Sequence, residues 1–128
     1  MCYFTVMLKL EIGFENGFAN EITDFVGKYF FANRVENHRC DEASVFQIYS
    51  SLEPERPAEE HIKELLKIYE TLPDNIKTSE IKKDIYIKAR RTENGGFIIS
   101  TEIISLLFAY EMGIIYEYSR GQGEAGNP

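Results

Sequence analysis

The residues whose types best suit chemistry lie in a polar segment in the first third of the chain. His38 and Cys40 form a His-x-Cys pair, and Asp41 follows directly. Cys40 can act as a nucleophile with His38 or His61 as its base, although a third, orienting group is missing, and the segment can also join Cys2 or His61 around a zinc ion. Their spacing matches none of the usual paired zinc motifs. We therefore predict no catalytic residue and no metal site, and keep His38, Cys40 and Asp41 for an alternative, a small-ligand-binding or hydrolytic enzyme.

Two other catalytic motifs are incomplete. A phosphate-binding loop needs a glycine-rich turn that leads into a helix, whereas Gly95-Gly96 leads into the apolar run Phe97-Ile98-Ile99. No serine stands in the Gly-x-Ser-x-Gly motif of a nucleophile elbow. The sequence therefore predicts a protein that is not an enzyme and that needs no cofactor.

Carboxylates cluster around the start of the second predicted helix, namely Glu53, Glu55, Glu59, Glu60 and Glu64. Two of them could serve as the acid and base of a glycosidase, but such pairs usually work in the deep cleft of a larger fold. Glu59 and Glu60 also have a structural reason for their place, because the first turn of a helix favours anions. We predict that these two contribute to an interaction surface.

Tyrosines occur in several predicted strands, namely Tyr49, Tyr86, Tyr116 and Tyr118. If they share an uncovered sheet face with Phe97, they form an aromatic platform with outward Lys and Arg, as in readers of single-stranded RNA. The consensus motif of those readers is missing, and tyrosine is also enriched at protein interfaces. The predicted interaction surface comprises Tyr49, Tyr86, Lys88, Arg90, Tyr116, Glu59 and Glu60.

The charge of the chain is negative overall but unevenly placed. The formal net charge is −7, while residues 77–91 carry six Lys or Arg against two acidic residues, a net +4, which leaves −11 for the rest. Binding to nucleic acid needs cations that neutralise phosphates, so the composition disfavours nucleic acid as a partner. An acidic surface suits a basic protein, because complementary charges speed the encounter. The charge therefore favours a protein partner.

Length and composition indicate one domain. A chain of 128 residues can bury its own core, and we predict a single domain at 1–119 with a disordered, Gly-rich tail at 120–128. No segment is apolar over the length that spans a bilayer, and residues 1–13 lack the features of a signal peptide. Cys2 and Cys40 are too few for a disulfide framework. These features predict a cytoplasmic protein with no membrane partner.

Hydrophobic periodicity predicts the elements that must position these residues. Alternation indicates strands at 3–12, 43–52, 83–91 and 114–118, with 97–99 as an optional addition. Helical spacing of apolar residues indicates helices at 20–29, at 58–72 and after Ser100, and 76–81 suits a helical turn. Residues 31–42 are polar without periodicity and are predicted to form a loop.

The last helix has a local signal at each end. The hydroxyl of Ser100 can accept an otherwise unpaired N–H of the first turn. Gly113 fits the left-handed backbone position with which many helices end. These two residues predict where the helix begins and ends.

The predicted elements follow the order β-α-β-α-β-(β)-α-β. Helices with one apolar stripe and strands with one apolar face favour a two-layer arrangement. We predict an α+β fold in which three helices cover one face of a mostly antiparallel sheet of four to five strands, a relative of the ferredoxin-like topology. Exposed sheet edges would also permit a homodimer.

Three segments resemble a bacterial family called domain of unknown function 4279. They are residues 19–27 (ANEITDFVG), residues 57–66 (PAEEHIKELL), and residues 97–103 (FIISTEI) with the continuation through Gly113 to a tyrosine-bearing strand. The resemblance spans most of the chain and implies a small α/β cytoplasmic protein that binds a partner. Small acidic bacterial proteins of this kind often look like immunity proteins that neutralise a toxin. The resemblance implies no catalytic residues.

Overall fold

The computed structural model of the chain describes residues 2–13, 19–39, 43–91 and 97–120. Its strands are β1 (Cys2–Gly13), β2 (Val35–Arg39), β3 (Ala43–Tyr49), β4 (Glu80–Arg91) and β5 (Gly113–Arg120). Its helices are α1 (Ala19–Tyr29), α2 (Ala58–Thr71), α3 (Asp74–Ser79) and α4 (Thr101–Ala109). Among these described helices, none combines the length and the apolar character needed to cross a membrane.

The strands form one mixed sheet in the order β2-β3-β1-β4-β5. The central strand β1 pairs antiparallel with β3 and with β4, and β3 pairs antiparallel with β2. β5 pairs parallel with β4, because α4 returns the chain to the same end of the sheet. The predicted α+β class is confirmed, and the five strands lie within the predicted number, but the described elements include four helices instead of three.

One hydrophobic core joins the sheet to the helices. The inner face of the sheet contributes residues of the three central strands, such as Leu8, Phe46 and Ile85, which are fully buried. All four helices add buried residues to the same cluster, among them Ile22, Ile62, Ile76 and Ile103. Apolar burial stabilises the fold by about 25 cal/mol per Å². The helices therefore cover one face of the sheet and leave the other face open.

The predicted loop at 31–42 is wrong for residues 35–39, which form β2. β2 lies at an edge of the sheet, and none of its residues is fully buried. Val35, opposite buried Ile48, is its only apolar residue, so the strand has no alternating pattern that a sequence could reveal. The extra strand therefore precedes the second helix, and the element order differs from the predicted one.

Residues 97–99 do not form the optional strand. β4 already has β1 on one side and β5 on the other, so no edge beside it is free. Phe97 packs its ring against Phe4 and Tyr116 instead, with centroid distances of 5.7 and 5.2 Å. The last strand is longer than predicted and ends at Arg120, while the rest of the predicted tail, 121–128, lies outside the described residues.

The capping prediction for α4 is confirmed at its start and wrong at its end. The Ser100 hydroxyl accepts the N–H of Ile103 at 3.3 Å. The left-handed residue is Glu111, with a φ of 54°, and not Gly113. A Cβ at Gly113 would lie 2.5 Å from Asp84 Oδ1 on the neighbouring strand, so the Asp84 side chain would have to move to admit another residue.

Two hydrogen bonds complete the end of α4. The N–H of Glu111 donates to the carbonyl of Phe108 at 3.0 Å, and the N–H of Met112 donates to that of Leu107 at 2.9 Å. Met112 and Leu107 are both buried. This is a Schellman motif with a glutamate at the position where glycine is usual.

We expect Glu111→Gly to raise the free energy of unfolding by about 0.5–1 kcal/mol, because glycine adopts the left-handed conformation without steric cost. Denaturant titration measures the change. Glu102→Gly, at an exposed position in the first turn of the same helix, is the matched control and should lower the free energy of unfolding by up to about 1 kcal/mol. A loss of stability in both variants would contradict the prediction.

Candidate functional site

The open face of the sheet carries a row of side chains that crosses four strands, β3, β1, β4 and β5, and begins at Arg34, the residue before β2. Residues opposite each other in a sheet point to the same face. Tyr49 lies opposite Met7, Met7 opposite Tyr86, and Tyr86 opposite Ile115. Arg34 extends the line beyond β3, since its carbonyl accepts the N–H of Tyr49 at 2.8 Å. We call Arg34, Tyr49, Met7, Tyr86 and Ile115 the tyrosine row.

Tyr49 is held at its ring and at its hydroxyl. The guanidinium carbon of Arg34 lies 3.9 Å from the ring centroid, close enough for a cation–π contact. The hydroxyl donates to Glu36 Oε1 at 3.0 Å, and Glu36 Oε2 lies 3.4 Å from Arg34 Nη1. Burial, followed by the bond to Glu36, raises the pKa of Tyr49, while the same hydroxyl lowers the pKa of Glu36. The three side chains form one connected group.

Tyr86 is held in the same manner at the other end of the row. Its hydroxyl donates to Glu117 Oε2 at 2.7 Å, and this bond is the main reason that the pKa of Tyr86 is raised. The Nζ atoms of Lys9 and Lys88 lie 5.0 and 5.8 Å from its ring centroid. Each tyrosine therefore has a cation over its ring and a carboxylate at its hydroxyl.

Met7 lies between the two tyrosines and is nearly inaccessible. Its exposed fraction is 3%, although it points away from the helices. Only neighbours on the open face can cover it, and Tyr49 and Tyr86 are its partners in register. The centre of the row is thus a packed apolar surface with polar groups around it, which is the composition of an interface core with a polar rim.

The open face is nearly neutral although the chain is acidic. Its described cations are Lys9, Arg34, Lys82, Lys88 and Arg90, and its described anions are Glu11, Glu36, Asp84 and Glu117. Five cations against four anions contrast with a net charge of −7 for the whole chain. The excess negative charge therefore lies away from this face.

A shallow groove adjoins the row at the β4–β5 side. It has a volume of about 710 Å³ and is lined in part by Lys88 and Arg90 of β4 and by Glu117 of β5. Tyr3 and Thr5 of β1 form its floor with these residues. The groove extends the polar rim around Tyr86 and adds exposed cations to it.

The structure brings together four of the seven residues predicted for the interaction surface. Tyr49, Tyr86, Lys88 and Arg90 share the open face. Tyr116 lies on the helix side of β5, in register with Ile87, and packs against Phe97. An aromatic platform that unites the strand tyrosines with Phe97 is therefore not present.

Glu59 and Glu60 lie on α2, on the other side of the sheet, and both have structural partners. Glu59 Oε2 accepts the N–H of Ser100 at 2.9 Å, and this bond is the main cause of its lowered pKa. Glu59 also lies 3.5 Å from Lys63, and Glu60 pairs with Arg56. These carboxylates connect α2 to the chain around it, away from the tyrosine row.

Sequence reasoning missed several members of the open face. The predicted loop at 31–42 contains Arg34 and Glu36, and the predicted strand at 114–118 contains Glu117 without a role. Val35 is the single apolar residue of β2, so the sequence has no signal that reveals this strand. The alternation of β1 puts Met7 on its outward side, but nothing in the local sequence shows that its neighbours bury it.

The two histidines of the alternative site lie on opposite sides of the sheet. His38 is exposed on the open face, with Nε2 3.2 Å from Gln47 Oε1 and 3.5 Å from Glu36 Oε1. His61 is buried on α2 beside Phe4 of the inner face. Cys40 and Asp41 lie outside the described residues. Within the described part of the chain, no three His, Cys, Asp or Glu side chains form a group that could hold a metal ion.

The arrangement of the tyrosine row on the open face is the structural evidence from which a function can be inferred. Comparison with models of known protein families, with curated proteins and with solved structures finds no match for this chain.

Proposed function

We propose that this protein is a non-catalytic binding domain that holds another protein against the open face of its sheet. The tyrosine row carries the proposal. Tyr, Arg and Met are enriched in the cores of protein interfaces, and the row combines all three across four strands and the residue before β2. Two tyrosines with ordered rings and hydroxyls lose little conformational entropy on binding, which favours them as anchors.

The surroundings of the rings favour a protein over a nucleic acid. Stacking of bases needs open aromatic faces near cations that can meet phosphates. Here Arg34 already covers Tyr49, and carboxylates of Glu36 and Glu117 stand at the two hydroxyls. Those carboxylates would repel phosphates and would attract Lys or Arg of a protein.

A basic toxin such as a nuclease is the partner that we propose, which would make this protein an immunity-type inhibitor. The net charge of −7 lies mostly away from the nearly neutral open face, and it supports this partner only through long-range attraction, which speeds the encounter with a cationic protein. Glu36 and Glu117 would then meet partner cations in the final complex. Two predictions agree with this proposal and stay predictions. One is membership of the domain of unknown function 4279 family, and the other is that the segment from β1 through β4 is a relative of the ferredoxin-like topology.

Site-specific photo-cross-linking in the host cell tests the proposal. A photoreactive amino acid in place of Tyr49 or Tyr86 should capture one and the same protein. The same amino acid in place of exposed Lys67 on α2 should not capture it. Capture from Lys67 alone would show that the partner binds the helix side and would contradict the proposal.

Binding of the captured protein, once purified, then measures the role of each ring. We expect Tyr49→Ala and Tyr86→Ala each to weaken affinity by about 30-fold, the effect of losing an interface hot spot. Tyr29→Ala is the matched control, because Tyr29 is 58% exposed on α1, away from the open face. Equal losses in all three variants would indicate a general effect on folding and not a binding site.

Single-stranded RNA is the second candidate, since Tyr86 stands beside Lys9 and Lys88 on an uncovered sheet. It predicts binding that falls steeply with salt and is lost in Tyr86→Ala. We expect no binding at low salt. Replacement of His38, Cys40 and Asp41 together tests the enzyme alternative, which predicts that this variant loses the binding of a small ligand.

A further inference from the structure

A second surface, distinct from the open face, is apolar and exposed to solvent. It joins one flank of α4 to the helix side of β5. Ile104 and Phe108 of α4 are 51% and 84% exposed, and Ile114, Tyr116 and Tyr118 of β5 are 41–46% exposed. Soluble proteins rarely leave a continuous apolar patch of this kind without a partner. We call these five residues the β5 patch.

Helical geometry places the two α4 residues on the side of β5. Successive residues of a helix are about 100° apart, so Ile104 and Phe108 project from the flank opposite Leu106 and Tyr110. Tyr110 packs against Tyr69 of α2, with 5.1 Å between the ring centroids. The flank with Ile104 and Phe108 therefore faces away from α2, towards the edge of the sheet.

The two edges of the sheet are built differently. β2 is short, with five residues, and is polar because it contains Glu36, His38 and Arg39. Edge strands that avoid pairing usually have both features. β5 has eight residues, contains no proline, and places Ile114, Tyr116 and Tyr118 in succession on its helix side. Within the described sheet, β5 has β4 on one side only. Apart from the charged residues Glu117 and Arg120, the β5 edge thus lacks the features that normally prevent strand addition.

From these observations we infer that the occupant of the β5 patch is a second copy of this chain, whose β5 pairs antiparallel with the first. Residues 121–128, which follow β5, read GQGEAGNP and offer almost no apolar surface with which to cover the patch themselves. An antiparallel pair about a two-fold axis is self-complementary, because the same patch meets itself. The result is one continuous sheet of ten strands.

The alternation of β5 restricts the register of this pairing. Both copies must direct Tyr116 to the helix side, so even-numbered residues can face only even-numbered residues, and odd-numbered residues only odd-numbered ones. The two-fold axis must therefore lie between the two copies of one residue. An axis at Glu117 would bring two like charges together, which is unfavourable. An axis at Tyr116 pairs Ile114 with the Tyr118 of the second copy and keeps the two Glu117 carboxylates out of register.

The available area suits a stable dimer. With 150–250 Å² for a whole aromatic side chain, Phe108, Tyr116 and Tyr118 together expose roughly 350 Å². Ile104, Ile114 and the strand backbone increase this towards the about 800 Å² that each partner contributes to a standard interface. Because the axis is perpendicular to the sheet, both tyrosine rows would lie on the same side of the dimer and could bind a partner bivalently.

Disulfide trapping of the full chain tests both the dimer and its register. In a background with Cys2→Ser and Cys40→Ser, Tyr116→Cys should form an intermolecular disulfide under mild oxidation, since residues at the axis have Cα atoms within the about 4.4–6.8 Å that a disulfide spans. Ser119→Cys is the matched control. Its sulfur atoms would be roughly 20 Å apart along the strands and should not cross-link.

The mass in solution provides the second measurement. We expect the unmodified chain to sediment as a dimer, and Phe108→Asp to sediment as a monomer with an unchanged helix and strand content, because Phe108 is exposed within the protomer. A chain that stays monomeric at high concentration would overturn the inference. A dimer that persists in Phe108→Asp and does not cross-link through Tyr116→Cys would also overturn it. A cross-link through Glu117→Cys, with none through Tyr116→Cys, would overturn the register.

Discussion

Asn33→Ala is expected to lower the free energy of unfolding by about 3 kcal/mol, one of the two largest effects that we predict for a single residue. The Asn33 side chain is 8% exposed overall and donates from Nδ2 to the carbonyl of Tyr49 at 3.0 Å and to Glu64 Oε1 at 2.8 Å. Its removal leaves the half-buried carbonyl of Tyr49 without this donor and weakens the link between α2 and the turn before β2. Chemical denaturation measures the loss.

The Asn33 contacts also explain why the substitution should affect binding. The N–H of Tyr49 is held by Arg34, and its carbonyl is held by Asn33. Both backbone groups of Tyr49 thus depend on the segment that precedes β2. We therefore expect Asn33→Ala to weaken affinity for the captured partner by more than the increase in its unfolded fraction accounts for, because Tyr49 is no longer held in position.

Asn37→Ala is the matched control for this substitution. Asn37 is an exposed residue of β2, four positions further along the same segment. Its replacement should change the free energy of unfolding by less than about 0.5 kcal/mol, as is usual for surface sites. Equal losses at the two positions would mean that the contacts of Asn33 to Tyr49 and Glu64 do not stabilise the fold.

The second large effect is a loss of stability in mild acid that depends on His61. The side chain of His61 is 1% exposed, and its Nδ1 lies 2.7 Å from Ser50 Oγ, while Nε2 is buried without a hydrogen-bond partner in the described structure. Ser50 Oγ also accepts the N–H of Leu52 at 3.2 Å. His61 therefore connects α2 to the segment that follows β3.

Burial sets the direction of the pH dependence. It lowers the pKa of His61 below 6.5, although the carbonyls of Arg56 and Glu53 and the carboxylates of Glu64 and Glu60 act in the opposite direction. The unfolded chain then takes up a proton near pH 6.5 while the folded protein does not. The free energy of unfolding should be constant above pH 7.5 and should fall by up to about 1.4 kcal/mol per pH unit below 6.5, until the lower pKa is reached.

Unfolding titrations between pH 8 and pH 5 measure this slope, above the range in which carboxylates protonate. His61→Gln can keep a bond to Ser50 but cannot titrate, so the slope should disappear. His38→Gln removes an exposed histidine of the open face and should leave the slope as it is. If His61→Gln retained the full slope, the pH dependence would have another source.

Much of the fold follows from local patterns in the sequence. Strict alternation from Tyr3 to Ile12 is enough to predict a long half-buried strand, and the structure places it at the centre of the sheet as β1. The helical spacing of Ile62, Leu65 and Leu66 predicts the buried stripe of α2, and the hydroxyl of Ser100 predicts the start of α4. These features depend on residues that are close together in the sequence, within one helical turn or one strand, so the sequence alone is enough to predict them.

The candidate site depends on contacts between distant parts of the chain. Tyr49 and Tyr116 have similar local surroundings, and tyrosine suits either a buried or an exposed place, so only the strand order and register reveal that they lie on opposite faces. β2 has no apolar alternation, because Val35 is its single apolar residue, and without this strand the partners of Tyr49 cannot be identified. Local chemistry thus determined the strands and helices, while long-range pairing, which no short window encodes, decided which side chains meet on the open face.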